Sequence, residues 1–248
     1  TNPNICVPLF SVGQTLDLGF AAQCDDPAIC EDATETFKVH ATAVPLIDAG
    51  APISYTSVPI TLTDVGGGVP GAPIIINYSD VGKMRLLTSF NIPLSDDLDP
   101  LLATKSGDKI TANSNQFIVR PFAFDIDFSD GRQTNGTGDA SYAADHTGSL
   151  WKIAGQAFDT TVTAVAWESA DDTNNDGVPD SGADLSNNHP TPNFDKDTAA
   201  ANYSVKLSVV QNKVPGGIAG VLSDDHFDNF AFGAQTHSVI YNEVGVID

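Results

Sequence analysis

Phe117-Ile-Val-Arg-Pro-Phe-Ala-Phe-Asp-Ile-Asp-Phe128 is the stretch whose reading decides the fold. Phe122, Phe124, Ile126 and Phe128 alternate with Ala123, Asp125 and Asp127. That period of two is the mark of a strand with one face in a core and the other in water. Arg120-Pro121 breaks the pattern, because proline has no N–H to give to a sheet ladder. Residues 117–120 therefore read as the last strand of one β domain, 1–120. Residues 121–128 open a second, 121–248.

Working outward, nearly every other segment is a short strand bounded by Gly, Pro, Asn or Asp. Strands are expected near 14–20, 36–44, 53–63, 73–78, 83–90 and 116–120. In the second half they are expected near 122–128, 150–153, 157–167, 203–211, 220–222 and 237–246. Tyr203, Val205, Leu207 and Val209 fall on one face, with Ser204, Lys206 and Ser208 on the other. The fold class is thus all-β, two tandem Ig-like sandwiches with long acidic loop insertions. Only Ser95–Ala103 suggests a helix, limited by Pro100. Two polar insertions, 129–149 and 169–202, are longer than ordinary connections and so are candidate functional loops.

Composition narrows the partners. The 248 residues carry 32 acidic against 11 basic side chains, a formal charge of −21. Nucleic acid and anionic membranes are bound through cations that the protein supplies, and this chain supplies few. Positive ions are the natural counterpart of such a surface; plain solubility is the competing explanation for any single carboxylate. No apolar run is long enough for a transmembrane helix. The chain opens at Thr1 without a charged-then-apolar leader, so any signal peptide is expected upstream. Of three cysteines, Cys24 and Cys30 flank a turn-forming segment and are the favoured disulfide. Closing so short a loop contributes about 2 kcal/mol on the chain-entropy model. Cys6 with either of them, or three free thiols, are the alternatives.

The motif that bears chemistry is Asp172-Thr-Asn174-Asn-Asp176-Gly177-Val178-Pro-Asp180. Side-chain oxygens at positions 1, 3, 5 and 9 with Gly at 6 match the start of an EF-hand-type calcium loop. Alternate residues turn inward on such a bend, glycine permits it, and the Val178 carbonyl adds an uncharged ligand. Position 12 is Ala183; Asp184 one place later, Asp171, or a remote carboxylate is left to close the set. A solvated loop without metal is the plain alternative. The expectation is a structural calcium site with affinity of about 10⁻⁴ to 10⁻³ M.

Other constellations are weaker. Asp125 and Asp127 sit ~7 Å apart on one strand face, a glycosidase-like spacing, yet the pattern points them to solvent. Asp224-Asp225-His226-Phe227-Asp228 reads as a polar turn before a strand, with metal binding as the alternative. His40, His146, His189 and His237 are isolated. Trp151, Trp167 and Tyr203 read as buried sandwich aromatics, with sugar stacking as the alternative. Asn77, Asn135 and Asn202 head Asn-x-Ser/Thr triplets.

Several segments in one order, Ile76–Leu87, Phe117–Phe124, Ala154–Ala164, Thr191-Pro-Asn-Phe194 and Asn242–Ile247, resemble the large C-terminal region of MshQ-type proteins. Those proteins are associated with the mannose-sensitive haemagglutinin pilus of bacteria. The resemblance covers the chain from about Ile53 onward, and it says nothing for the calcium-type loop, which lies in a variable insertion. It implies an extracellular or cell-surface, pilus-associated protein that is not an enzyme. The implied partners are other pilus or surface proteins; apart from the resemblance, self-assembly is a further expectation, in which a second copy completes a sheet edge left open by the abrupt termini. Such proteins continue beyond the last of these segments, so a chain ending at Asp248 is expected to be a fragment or processed product. The function expected is structural or adhesive. A carbohydrate-binding module is the alternative, with glycans as partners, and a glycoside hydrolase-like enzyme comes third.

Overall fold

A computed structural model describes residues 13, 15–24, 37–48, 50–67, 69–92, 108–128, 152–196, 204–209 and 216–244. Among them the chain is all-β, with a single 3-10 turn at Leu185–Asn187. The expected helix over Ser95–Ala103, the 129–149 insertion, Cys6, Cys30, His146, Trp151, Tyr203, Asn135 and Asn202 lie outside the described residues.

The chain divides into two compact units. The first takes Thr1–Tyr78 and Lys83–Ile118. Its strands begin with β1 (Thr15–Cys24), β2 (Phe37–Val39), β3 (Thr42–Val44) and β4 (Leu46–Ile47). Next come β5 (Thr56–Thr61), β6 (Thr63–Asp64), β7 (Pro70–Gly71) and β8 (Ile76–Tyr78). The last three are β9 (Gly82–Asn91), β10 (Lys109–Asn113) and β11 (Phe117–Val119). β1 is the spine: β9 pairs with it antiparallel on one side, β5 antiparallel and β4 parallel on the other. Burial follows from that position. Phe20, Ala21 and Ala22 are all enclosed, whereas β5 hides only Val58 and Ile60. Among the described residues β5 pairs with β1 alone, so Pro59 sits on an edge strand, where proline is tolerated. The expected single strand at 36–44 is a hairpin instead. His40 and Ala41 adopt φ of 47° and 64°, a conformation that reverses the chain.

The second unit takes Val119–Asp248 together with four residues from far upstream, Ser79–Gly82. Its strands are β12 (Ala123–Phe128), β13 (Ala157–Val165), β14 (Val205–Lys206), β15 (Leu222–Ser223), β16 (His226–Phe227) and β17 (Ala234–Tyr241). One sheet runs β12-β13-β17-β15, and β14 pairs with β16 in a second. Phe158, Val162, Val239 and Tyr241 from the larger sheet enclose Phe227 of the smaller, with Val205, Leu207 and Val209 packed against them. That is a sandwich core, built as the alternation of 205, 207 and 209 requires.

Three strand expectations fail in instructive ways. β12 does not alternate cleanly: Phe124 and Phe128 pack on core residues, but Ile126 is exposed and Asp125 and Asp127 are part-buried. Among the described residues of 203–211, strand is confined to Val205–Lys206, with Leu207 N donating to Asp225 O beyond it, and residues 152 and 153 form no strand. β10 and β16 lacked a legible pattern, the first fully exposed and the second two residues long.

Ser79–Gly82 belongs to the second unit for a polar reason. The Asp80 carboxylate is enclosed and accepts from Val81 N at 2.8 Å, Asn193 N at 3.2 Å and Asn193 Nδ2 at 2.6 Å. Val81 packs with Ala164 and Phe194 beside it. Truncating Asp80 strands the Asn193 donors inside the protein, at a cost of about 2 kcal/mol or more. Both tryptophans, Trp151 and Trp167, lie after residue 119. Asp80→Ala is therefore expected to shift the tryptophan-fluorescence unfolding transition to lower denaturant. An unmoved transition would show that the upstream residues add nothing to the second unit.

Candidate metal centre

The calcium-type turn hangs directly from the end of β13. Beyond Ala166, next to the strand's last residue, the chain bends, and Asp171 N donates to Glu168 O at 3.1 Å. Asp172 is enclosed and is the hub of the turn. Its Oδ2 accepts from Trp167 Nε1 at 2.8 Å and Gly177 N at 2.9 Å; its Oδ1 accepts from Asp176 N at 3.0 Å. Gly177 holds φ at 82°, which only glycine adopts without strain, so the bend predicted at that position is present.

The alternate residues repeat the same device on a smaller scale. Asn174 Oδ1 accepts from Asp176 N at 3.0 Å, and Asp176 Oδ1 accepts from Val178 N at 2.9 Å. Asn174 Nδ2 donates to Asp176 Oδ2 at 3.1 Å. Across the turn, Asp180 Oδ2 accepts from Thr173 N at 2.9 Å and Thr173 Oγ1 at 2.6 Å. Asp172, Asn174, Asp176 and Asp180 are thus gathered on one hydrogen-bonded turn, with Val178 exposed between them. Asp184 is employed elsewhere. Its Oδ1 caps the 3-10 turn, accepting from Ser186 N at 3.2 Å and Ser186 Oγ at 2.6 Å.

The electrostatics match this geometry. Burial pushes the Asp172 carboxyl up, but the Trp167 indole and the backbone N–H groups of Gly177, Asp176 and Asn175 outweigh it, and the group lies below the ordinary value. Asp180 also lies below it, held there by the Thr173 hydroxyl and N–H against burial and the repulsion of Asp172. Two mutually repelling carboxylates, a third at Asp176, an amide oxygen and a carbonyl make a hard-oxygen donor set suited to calcium. Among the described residues, no three His, Cys, Asp or Glu side chains converge tightly enough to form a metal cage on their own. A cation here would depend on the Asn174 and Val178 oxygens as well.

Trp167 was expected in the core and is 43% exposed. Its place follows from the strand ending at Val165, which carries the indole out to meet Asp172; the five-residue spacing between them was the available signal. Asp125 and Asp127 are drawn into β12–β13 pairing rather than standing in solvent. Asp225 is an ion-pair centre that sequence reading missed. Lys206 Nζ lies 3.5 Å from it and His226 Nδ1 2.7 Å. Burial raises its pKa, and Lys206, His226 and a backbone hydrogen bond more than reverse the effect. Cys24 is buried and disulfide-bonded, while both other cysteines lie outside the described residues. No helix among the described residues is long and apolar enough to cross a membrane.

Folding holds Asp172 and Asp180 below the ordinary 3.8. A lowered carboxylate favours the folded turn above that value and surrenders the benefit as pH falls through the lowered pKa. Trp167 emission is therefore expected to be flat from pH 7 to 5 and to change below about 4. Asp172→Asn should remove most of that change. A titration that is the same in both proteins would refute the assignment.

Residues 120–240, just under half of the chain, match the family model described as DUF6701, second domain. The match starts at Arg120, within the strand break between β11 and β12. No curated protein and no solved structure matches the chain.

Proposed function

We propose that the chain is a non-enzymatic structural or adhesive module of a bacterial surface, made of two tandem Ig-like sandwiches. In this reading it is of the pilus-associated, MshQ-like kind, and a calcium ion stiffens its long second-unit insertion. The observation that bears most weight is the Asp172 clamp. One carboxylate ties the end of β13, through Trp167, to the apex of the turn at Asp176 and Gly177. Calcium held by Asp172, Asn174, Asp176, the Val178 carbonyl and Asp180 would neutralise the Asp172–Asp180 repulsion and lock that tie. Asp184 is then a cap rather than a ligand. The Cys24 disulfide suits an oxidising, extracellular setting, and the formal −21 suits a surface that meets divalent ions. Other surface proteins or a second copy are the partners this implies.

Calcium is expected to raise the unfolding temperature and to slow proteolysis within 169–202. At a hundredfold excess over Kd, mass action gives about 2.7 kcal/mol. Asp180→Asn should lose most of that gain while folding normally. If chelator and calcium give superimposable melts and digests, the structural-calcium reading is wrong.

One observation favours the carbohydrate-binding alternative. Trp167 is exposed beside the turn, and its N–H is committed to Asp172, so the ring is fixed in orientation and available for stacking. On a glycan array, this reading requires calcium-dependent binding that Trp167→Ala abolishes. An array with no signal in calcium leaves only the structural role.

A further inference from the structure

In the first unit, the sheet β3-β2-β8 ends at β8 on an unfinished edge. Phe37 and Val39 of the central strand β2 are fully enclosed. The register sets Tyr78 opposite Phe37 and Ile76 opposite Val39, so these side chains share one face. Ile74, two residues back, follows them by alternation. Yet Ile74 is 37% exposed and Ile76 43%, beside neighbours from which water is excluded. The apolar face runs on past the last strand with nothing over it. On the opposite face Ile75 is 70% exposed.

The backbone points the same way. His40 N donates to Ile75 O at 2.9 Å, so the polar groups of Ile75 turn toward β2. Those of Ile74 and Ile76 turn the other way. No strand among the described residues pairs with them there. Sheet edges are ordinarily blunted by charge or proline. Pro73 stands just before this one, but from Ala49 to Ser79 the single charged side chain is Asp64.

An extended strand laid along β8 would take up the outward N–H and C=O groups and cover Ile74 and Ile76. Charge selects the occupant. Two copies of a chain carrying −21 repel each other over most of their surface, and this charge-poor run is where they meet with least repulsion. An antiparallel edge is also its own complement, since a two-fold rotation sets the outward groups of one β8 against the same groups of another.

We propose that β8 is a self-association edge, at which residues 74–77 of two copies pair antiparallel into one sheet that runs through both chains. This deepens the proposed function by giving its second-copy partner a place on the molecule. The edge lies in the first unit, so it stands or falls apart from the calcium turn of the second.

Sedimentation of the full chain in chelator, up to about 1 mM, tests it. The wild type is expected to pass from one chain to two as concentration rises. It should do so earlier in about 1 M salt, where the Debye length is about 3 Å and repulsion between copies is screened. Ile75→Lys sets a charge on each side of the pairing. Ile76→Pro removes an outward N–H and leaves the β2 ladder intact. Each should weaken the dimer about tenfold or more with the circular dichroism unchanged, and should one variant misfold the other decides. A wild type that stays monomeric at every concentration and in both salts overturns the proposal. A dimer that the folded variants keep overturns it too, because the contact then lies elsewhere. Growth beyond two chains does the same, because a two-fold edge closes on itself.

Discussion

The carboxylate of Asp80, closed off from water and met by three N–H donors, is the constraint on which the second unit depends. A buried carboxyl without such donors would cost several kcal/mol, so its surroundings must be fixed in detail. Those surroundings are the segments that stand out in the sequence. Thr191 N donates to Ala164 O at 2.9 Å; Phe194 meets Phe124 edge-on at 5.4 Å and Phe230 at 4.8 Å; Val81 packs with Ala164 and Phe194. Residues from Ile76–Leu87, Phe117–Phe124, Ala154–Ala164 and Thr191–Phe194 therefore converge on one polar pair and the small apolar cluster around it. Gly233 closes the other side. It sits at φ 78° against the Thr191 carbonyl, where a side chain would collide.

How much of this was legible depended on the range of the interaction. Alternation is a local signal, and it located β13, whose Phe158, Thr160, Val162 and Ala164 are buried in turn, and the packed face of Val205, Leu207 and Val209. It misled at β12, where Ile126 faces outward and Asp127 has an oxygen shielded from solvent. Residue identity said nothing there about what the neighbouring loop would cover. The turn chemistry at Gly177 was readable because a positive φ is a demand on one residue. The Asp80–Asn193 pair was not, because it joins positions 113 apart and neither residue stands out in its own neighbourhood. Asp184 finds its visible partner close by for a related reason: Ser186, two residues on, lets its Oδ1 act as a cap at low entropic cost.

The two ends of the long insertion solve different problems. At its far end, Thr191-Pro-Asn-Phe194 returns to the core with both polar and apolar anchors. Near its start, the chain has left the sheet and buries no apolar residue. A loop in that position can be ordered only by hydrogen bonds and charge, because fixing each residue costs about 1–2 kcal/mol of backbone entropy. Asp172 serves that purpose by gathering donors from Trp167, Asp176 and Gly177, which span the strand end and the apex. The same choice carries a penalty. Concentrating carboxylates in one turn builds in repulsion, visible in the pressure of Asp172 on Asp180.

That repulsion separates an acidic surface from an acidic interior. Exposed carboxylates are screened by water and salt over about 10 Å and need no partner. Enclosed ones are not screened, and the chain treats them case by case. Asp80 receives an amide and two backbone donors, Asp172 an indole and backbone donors, and part-buried Asp225 a lysine and a histidine. In each case at least one partner, Asn193, Trp167 or Lys206, comes from another segment of chain, so the carboxylate ties together pieces that apolar burial does not reach. Among the described residues these ties all lie in the second unit. A net charge of −21 therefore does two kinds of work. Part of it is solvated surface, and part is a small number of enclosed oxygens that do for the insertion what Phe158, Val162, Phe227 and Val239 do for the sandwich.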